Sequence, residues 1–252
     1  MPEYQLVRRR IDNYLRWRFH FVEGCMRRID ALIFRELISA QVQRQVSGSL
    51  VEIGVHFGRS FFVLASGRSA SEKSLAIDLF ENDALYTGRP GLGRSVGFFR
   101  NCRKLGFQLS EAEVLKGSSL QVTPNEIRCR VGPVRFFSID GGHMYEHVAN
   151  DLFLAQKLMV PGGIISVDDF STPLWPEVPI ATFDWLRLAP LSLSWPLRTS
   201  SISARRNTFP YTPISSPGIP ACTPAWFEKS LCLAIRFSSW IPQSSPGPPS
   251  CW

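Results

Sequence analysis

The sequence predicts an α/β fold, a doubly wound, mostly parallel sheet with helices on both faces and N-terminal helices before it. Three observations carry this expectation. From residue 48 onward, short apolar segments alternate with helix-like ones. Glycines and acidic residues gather at the carboxyl ends of the apolar segments, where open parallel sheets bind ligands. After residue 185 both patterns stop.

Residues 1–47 read as a helical segment. Apolar Val22, Met26, Ile29, Ile33 and Leu37 recur about one helical turn apart and predict a buried stripe. Arginines 8–10, 16, 18, 27 and 28 then belong to the opposite, solvated face. Residues 48–185 carry the sheet. The segment 49–55 (SLVEIGV) is the first strand, and SFFVLASGR continues it as a helix. The second strand is 74–80 (SLAIDLF), followed by a helix over 96–106 that closes at Gly106. The third strand is 112–117 and the fourth 134–141 (VRFFSIDG). A helix over 146–159, a Pro-Gly-Gly turn and a fifth strand over 164–170 (IISVDDF) complete the pattern.

Residues 186–252 change character, holding 11 of the 19 prolines and 13 serines. Helix and strand interiors tolerate proline poorly, so this part is expected to be irregular, leaving the sheet truncated. A natural disordered tail and an out-of-frame translation product both fit. The second reading rests on a sudden loss of acidic residues while Trp, Phe and Cys persist.

Charge and composition narrow the function classes. The chain is 44% hydrophobic and 19% charged, an ordinary globular balance. The net charge of +7 is concentrated in 186–252, which has six Lys/Arg against Glu228 alone. The remaining +2 over 1–185 requires no nucleic-acid face. No apolar run approaches a membrane span, and the N-terminus lacks the apolar core of a secretory signal. The six cysteines form no CxxC pair, which argues against a zinc site and for reduced thiols in a cytoplasmic protein.

The sharpest motif is Glu52-Ile-Gly54-Val55-His-Phe-Gly58-Arg-Ser60, where the first strand must turn abruptly into a helix. Glycine permits both the turn and close approach of a ligand to free helix N–H groups. Asp78 and Leu79 end the second strand, and an Asp there can accept hydrogen bonds from both hydroxyls of a ribose. The glycine-rich stretch 87–97 lacks a Walker ending and reads as a mobile loop over the site. Asp140 ends the fourth strand and Asp168-Asp169 the fifth. Three such carboxylates repel one another unless a divalent cation joins them, and hard oxygen ligands suit Mg²⁺. His143, three residues past Asp140, is placed to act as a general base. Loop capping by the aspartates, with His143 incidental, is the plainer alternative.

The spacing ExGxxxGxS resembles motif I of class I S-adenosylmethionine (SAM) dependent methyltransferases. The stretch IDGGHMYEHVANDL, followed by PGGIISVDD, is similar to a bacterial methyltransferase family patterned IDGxHxYexvxxDl…pGGiiixDD. The likeness spans roughly residues 48–185. It implies a Rossmann-like domain binding SAM through Glu52, Gly54, Val55, Gly58, Ser60, Asp78, Leu79, Ser118 and Asp140. Some members resemble metal-dependent O-methyltransferases of sugars or phenols. That likeness implies Mg²⁺ on Asp140, Asp168 and Asp169, with His143 taking the proton of an acceptor hydroxyl. In related sequences an acidic residue often stands near the adenine where Ser118 stands here. The expected partner is a small-molecule or carbohydrate acceptor, with oligomerisation left open. A catalytically inactive SAM- or nucleotide-binding homologue with a disrupted C-terminus is the main rival. The absence of GxGxxG argues against a third, an NAD(P)-dependent oxidoreductase.

Overall fold

A computed structural model describes residues 1–80, 94–110, 113–188 and 233–236. Its sheet has the strand order β3-β2-β1-β4-β5-β6. The strands are β1 (Ser49–Ile53), β2 (Ser74–Asp78), β3 (Val114–Lys116), β4 (Val134–Ile139), β5 (Met159–Val167) and β6 (Leu233–Arg236). The first five are mutually parallel, and β6 runs antiparallel to β5. The chain starts at β1, moves outward to β3, then crosses back to β4 on the other side of β1. That reversal is the topological switch point at which doubly wound sheets open a ligand crevice.

β1 and β4 are buried along their whole lengths, as strands covered on both faces must be. One face packs against α1 (Glu3–Trp17), α2 (Arg28–Gln43), α3 (Phe61–Ser66) and α4 (Arg94–Leu105), through Phe34, Phe61, Phe62 and Phe98. The other packs against α5 (Pro124–Val131), α6 (Tyr145–Leu158) and α7 (Glu177–Leu188), through Ile127, Leu152, Leu158 and Trp185. No helix among the described residues is long and apolar enough to cross a membrane.

Several expectations change in detail. The N-terminal segment is two helices with a connector between them, and the buried face of α2 is Ala31, Phe34 and Ile38. Ile29 and Ile33, expected in the stripe, are exposed, and Val22 is buried in the connector. The periodicity was real but its phase was set by Phe34, which packs against Phe136 with ring centroids 5.0 Å apart. Several arginines of the supposed solvated face are paired: Arg8 with Glu36 at 2.7 Å, and Arg18 with the Lys104 carbonyl at 2.8 Å.

Helix α5 went unread, although Thr123-Pro124-Asn125-Glu126 carries its start signal. Thr123 Oγ1 accepts from Glu126 N–H, and Pro124 occupies the first turn. β5 begins earlier than expected and runs through Pro-Gly-Gly, where its register against β4 shifts. The tail was expected to supply no strand, yet Leu233–Arg236 pairs with Ile164–Val167 and covers the edge of β5. The proposed mobile loop lies outside the described residues over 87–93, and 94–97 open α4.

Candidate active site

The carboxyl ends of β1, β2, β3, β4 and β5 converge on a cavity of about 450 Å³. Gly54, Val55, Ser60, Asp78, Leu79, Ser118, Asp140, His143, Asp168 and Asp169 all line it. Sequence positions more than a hundred residues apart thus meet because parallel strands present their carboxyl ends to one side.

The β1 turn is shaped by backbone requirements. Gly54 has φ +88°, and a Cβ there would overlap the Asp140 carbonyl oxygen. At Gly58, φ is +95° and a Cβ would lie 2.6 Å from the Phe62 ring. Between them His56 is held at φ +52°, an uncommon value for a residue with a side chain. Asp78 explains how that turn is held. Its Oδ2 accepts from His56 N–H at 2.8 Å and its Oδ1 from Phe80 N–H at 2.7 Å. A carboxylate has further lone pairs, so these bonds fix the group without exhausting its capacity to accept. The Val55 side chain is buried, which leaves the backbone as that residue's polar contact surface.

Glu52 lies beneath this turn, fully buried, with Oε1 accepting from the Ser138 hydroxyl at 3.1 Å. Burial pushes its carboxyl up to about 8, against the opposing pull of the Ser60 and Ser138 hydroxyls. Glu52 does not line the cavity; the hydroxyls of Ser60, in the turn, and Ser138, on β4, face its carboxyl.

At the ends of β4 and β5, the ligand-capable atoms of Asp140, His143 and Asp169 all lie within 4.8 Å of one another. His143 Nε2 stands 2.9 Å from Asp169 Oδ2, approaching off-line, so that no strict hydrogen bond forms. The imidazole stacks on Trp175, with centroids 4.5 Å apart and planes 14° from parallel. Asp169 has φ +54°, the kind of unfavourable backbone that persists where surrounding structure fixes a functional group. Asp140 is pushed well above the ordinary carboxylate range by burial, then by the charges of Asp168, Glu52 and Asp169. Asp168 lines the same cavity, but His143 takes its place in the close trio. The sequence had grouped Asp168 with Asp140 and Asp169 as cation ligands.

Other residues of the site escaped sequence reading. Gly24, Cys25 and Met26 of the α1–α2 connector form part of the wall. Arg59 fastens that connector, its Nε donating to the Val22 carbonyl at 2.6 Å while its guanidinium lies 5.2 Å from the Phe19 ring centroid. Thr172, Leu174 and Trp175 close the far side, and His147 stands beside Gly142. Only the aromatic Trp175, shortly after the aspartate pair, left a usable trace in the sequence.

Residues 51–170 match a protein family described as a methyltransferase domain. Among solved structures, the chain is similar to CalS11, a TDP-rhamnose 3'-O-methyltransferase of calicheamicin biosynthesis. The identity is 18% and the TM-score 0.50, with 75% of this chain and 87% of that one covered. It also resembles an O-methyltransferase from Bacillus cereus in complex with SAH, at 17% identity and TM-score 0.49, covering 73% and 80%. No protein of curated function matches the chain in sequence.

Proposed function

From the premise that residues 51–170 form a class I SAM-dependent methyltransferase domain, we propose that the chain methylates a hydroxyl oxygen of a small-molecule or carbohydrate acceptor. The observation that carries this reading is His143. Its ring stacks on Trp175 and stands 2.9 Å from Asp169, in the cavity that residues of the Gly54–Ser60 turn also line. A base held there can take the hydroxyl proton while the acceptor oxygen faces the methyl group.

In this reading the chain divides the work between two walls. The Gly54–Ser60 turn and Asp78 hold the methionine and ribose parts of SAM. Asp169, whose Oδ2 stands 2.9 Å from Nε2, steadies the imidazole. Trp175 and Leu174 present an apolar face to the acceptor.

The donor set of Asp140, Asp169 and His143 also fits a divalent cation, which would stabilise the charge that burial, and then the neighbouring carboxylates, disfavour on Asp140. When bound, such an ion supplies positive charge that acidifies an acceptor hydroxyl. A nitrogen donor beside two carboxylates suits Mn²⁺ at least as well as Mg²⁺.

The test is methyl transfer from labelled SAM to a panel of vicinal-diol phenols and nucleotide sugars, with Mg²⁺, Mn²⁺ or EDTA. Turnover abolished by EDTA and restored by the ion supports the assisted mechanism. Full turnover in EDTA removes the cation and leaves His143 as an unassisted base. SAH binding with no turnover on any acceptor would favour the inactive-homologue reading.

A further inference from the structure

We propose that Arg59 is a positioning residue for acceptor binding, which holds the α1–α2 connector in place as a wall of the cavity; the role rests on the methyltransferase reading above. Arg59 belongs to the Gly54–Ser60 turn, yet its guanidinium reaches into the N-terminal segment, which precedes residues 51–170 of the methyltransferase domain. Its Nε donates to the Val22 carbonyl at 2.6 Å and its Nη1 to the Met26 carbonyl at 3.5 Å. The Phe19 ring centroid lies 5.2 Å from the guanidinium, and the buried Tyr14 donates its hydroxyl proton to the Arg59 carbonyl at 2.9 Å. Gly24 sits against the same side chain, so closely that a Cβ there would be 2.8 Å from Arg59 Cβ.

Val22 and Met26 bracket Gly24 and Cys25, so the two bonds fix both ends of the strip that lines the cavity. Little else does so. Among the described residues, no backbone–backbone hydrogen bond secures residues 23–26. A guanidinium presents several donors in a rigid fork and can bridge two carbonyls, which an apolar side chain of similar size cannot. Two charge interactions show which part of the cavity the strip faces. Cys25 acts on the charge of Asp140, and Arg27 and Asp168 act on each other. Such interactions fade with distance, so the connector stands beside the carboxylates at the ends of β4 and β5, where the acceptor chemistry belongs. Arg59 thus joins the turn assigned to the cofactor to a wall assigned to the acceptor.

The experiment combines kinetics with a signal from the connector itself. The chain has four methionines, so ¹³C-methyl labelling reports the connector through Met26 and the sheet through Met159 of β5. Arg59→Leu removes the donors, and Gly24→Ala lifts the connector from the other side of the same contact. Both should move the Met26 signal toward that of a solvent-exposed methionine and leave Met159 in place. With the fastest acceptor of the panel above, both should raise the acceptor KM about tenfold while kcat changes less than about threefold, the pattern of lost ground-state binding. Arg59→Lys keeps one donor within reach of the Val22 carbonyl and should recover most of the loss. Acceptor KM within about twofold of wild type in both variants would overturn the proposal. So would a joint failure of KM, kcat and SAH affinity with a displaced Met159 signal, which marks general loss of structure. Should the leucine variant not fold, Gly24→Ala decides. A wild-type chain that binds SAH and methylates no acceptor would instead overturn the reading beneath, and this role with it.

Discussion

Replacing Arg135 by methionine should strongly destabilise the protein without touching the active site. Arg135 is the second residue of β4, a strand with no exposed residue, and its side chain is 0% exposed. Its Nε and Nη2 donate to the two oxygens of Glu72, both at 2.8 Å. Nη1 donates to Gln41 Oε1 at 2.9 Å, and Nη2 also reaches the Gly67 carbonyl at 2.9 Å. One guanidinium therefore ties α2, the α3–β2 turn and β4 together. Methionine fills much of the volume but leaves Glu72, 6% exposed, with only the N–H groups of Gly48 and Ser69. Stranding one partner of a buried pair costs about 3–5 kcal/mol. For a folded unit of this size that lowers Tm by roughly 6–20 °C.

The pair also has a pH signature. Burial raises the Glu72 carboxyl, but the hydrogen bonds and charge of Arg135 outweigh it and hold the group below its usual 4.5. A carboxylate depressed in the folded state stabilises fully above its unfolded value and loses that contribution as pH falls through the folded one. The gap between wild type and Arg135→Met, followed by urea unfolding, should therefore be widest at high pH and narrow as pH falls, first as the stranded Glu72 of the variant protonates above its usual 4.5 and then as the paired Glu72 of the wild type does so below it. Adding Glu72→Leu to the variant should recover much of the loss, because an apolar pair carries no stranded charge. A single variant within 1 kcal/mol of wild type at pH 7, or a gap that widens in acid, would refute the reasoning.

Glu52→Gln should gain stability relative to wild type as pH rises from 5 to 8, because a carboxyl raised to about 8 makes the folded state less stable across that interval; a flat difference in urea titrations would count against it. Gly54→Ala should abolish SAH binding in calorimetry, since a Cβ there overlaps the Asp140 carbonyl. Asp78→Ala should weaken SAH binding by roughly ten- to a hundredfold, by losing a charged acceptor and freeing the His56 turn; unchanged affinity would remove Asp78 from the site. His143→Ala should lower the maximal rate of methyl transfer by about 10²–10⁴-fold while SAH affinity stays within a few fold.

The sequence determined the five parallel strands and their order along the chain. Apolar runs bounded by glycine mark β1 and β4, and Gly54, Asp78, Asp140 and Asp168-Asp169 mark the strand ends because ligand crevices open there. Such signals are local, residing in a few consecutive residues. Tertiary structure decided the pairings. Whether Ile33 or Phe34 turns inward depends on what β4 presents to α2, and Phe136 selected Phe34. Whether Asp168 or His143 joins Asp140 and Asp169 depends on how two loops are aimed, since adjacent aspartates on a turning backbone point apart. The Trp175 stack, the Arg59 clamp on the connector and the Arg135–Glu72 pair join positions up to 63 residues apart in sequence. A contact of that kind has no period or spacing to read, because it exists only once the chain has folded back on itself.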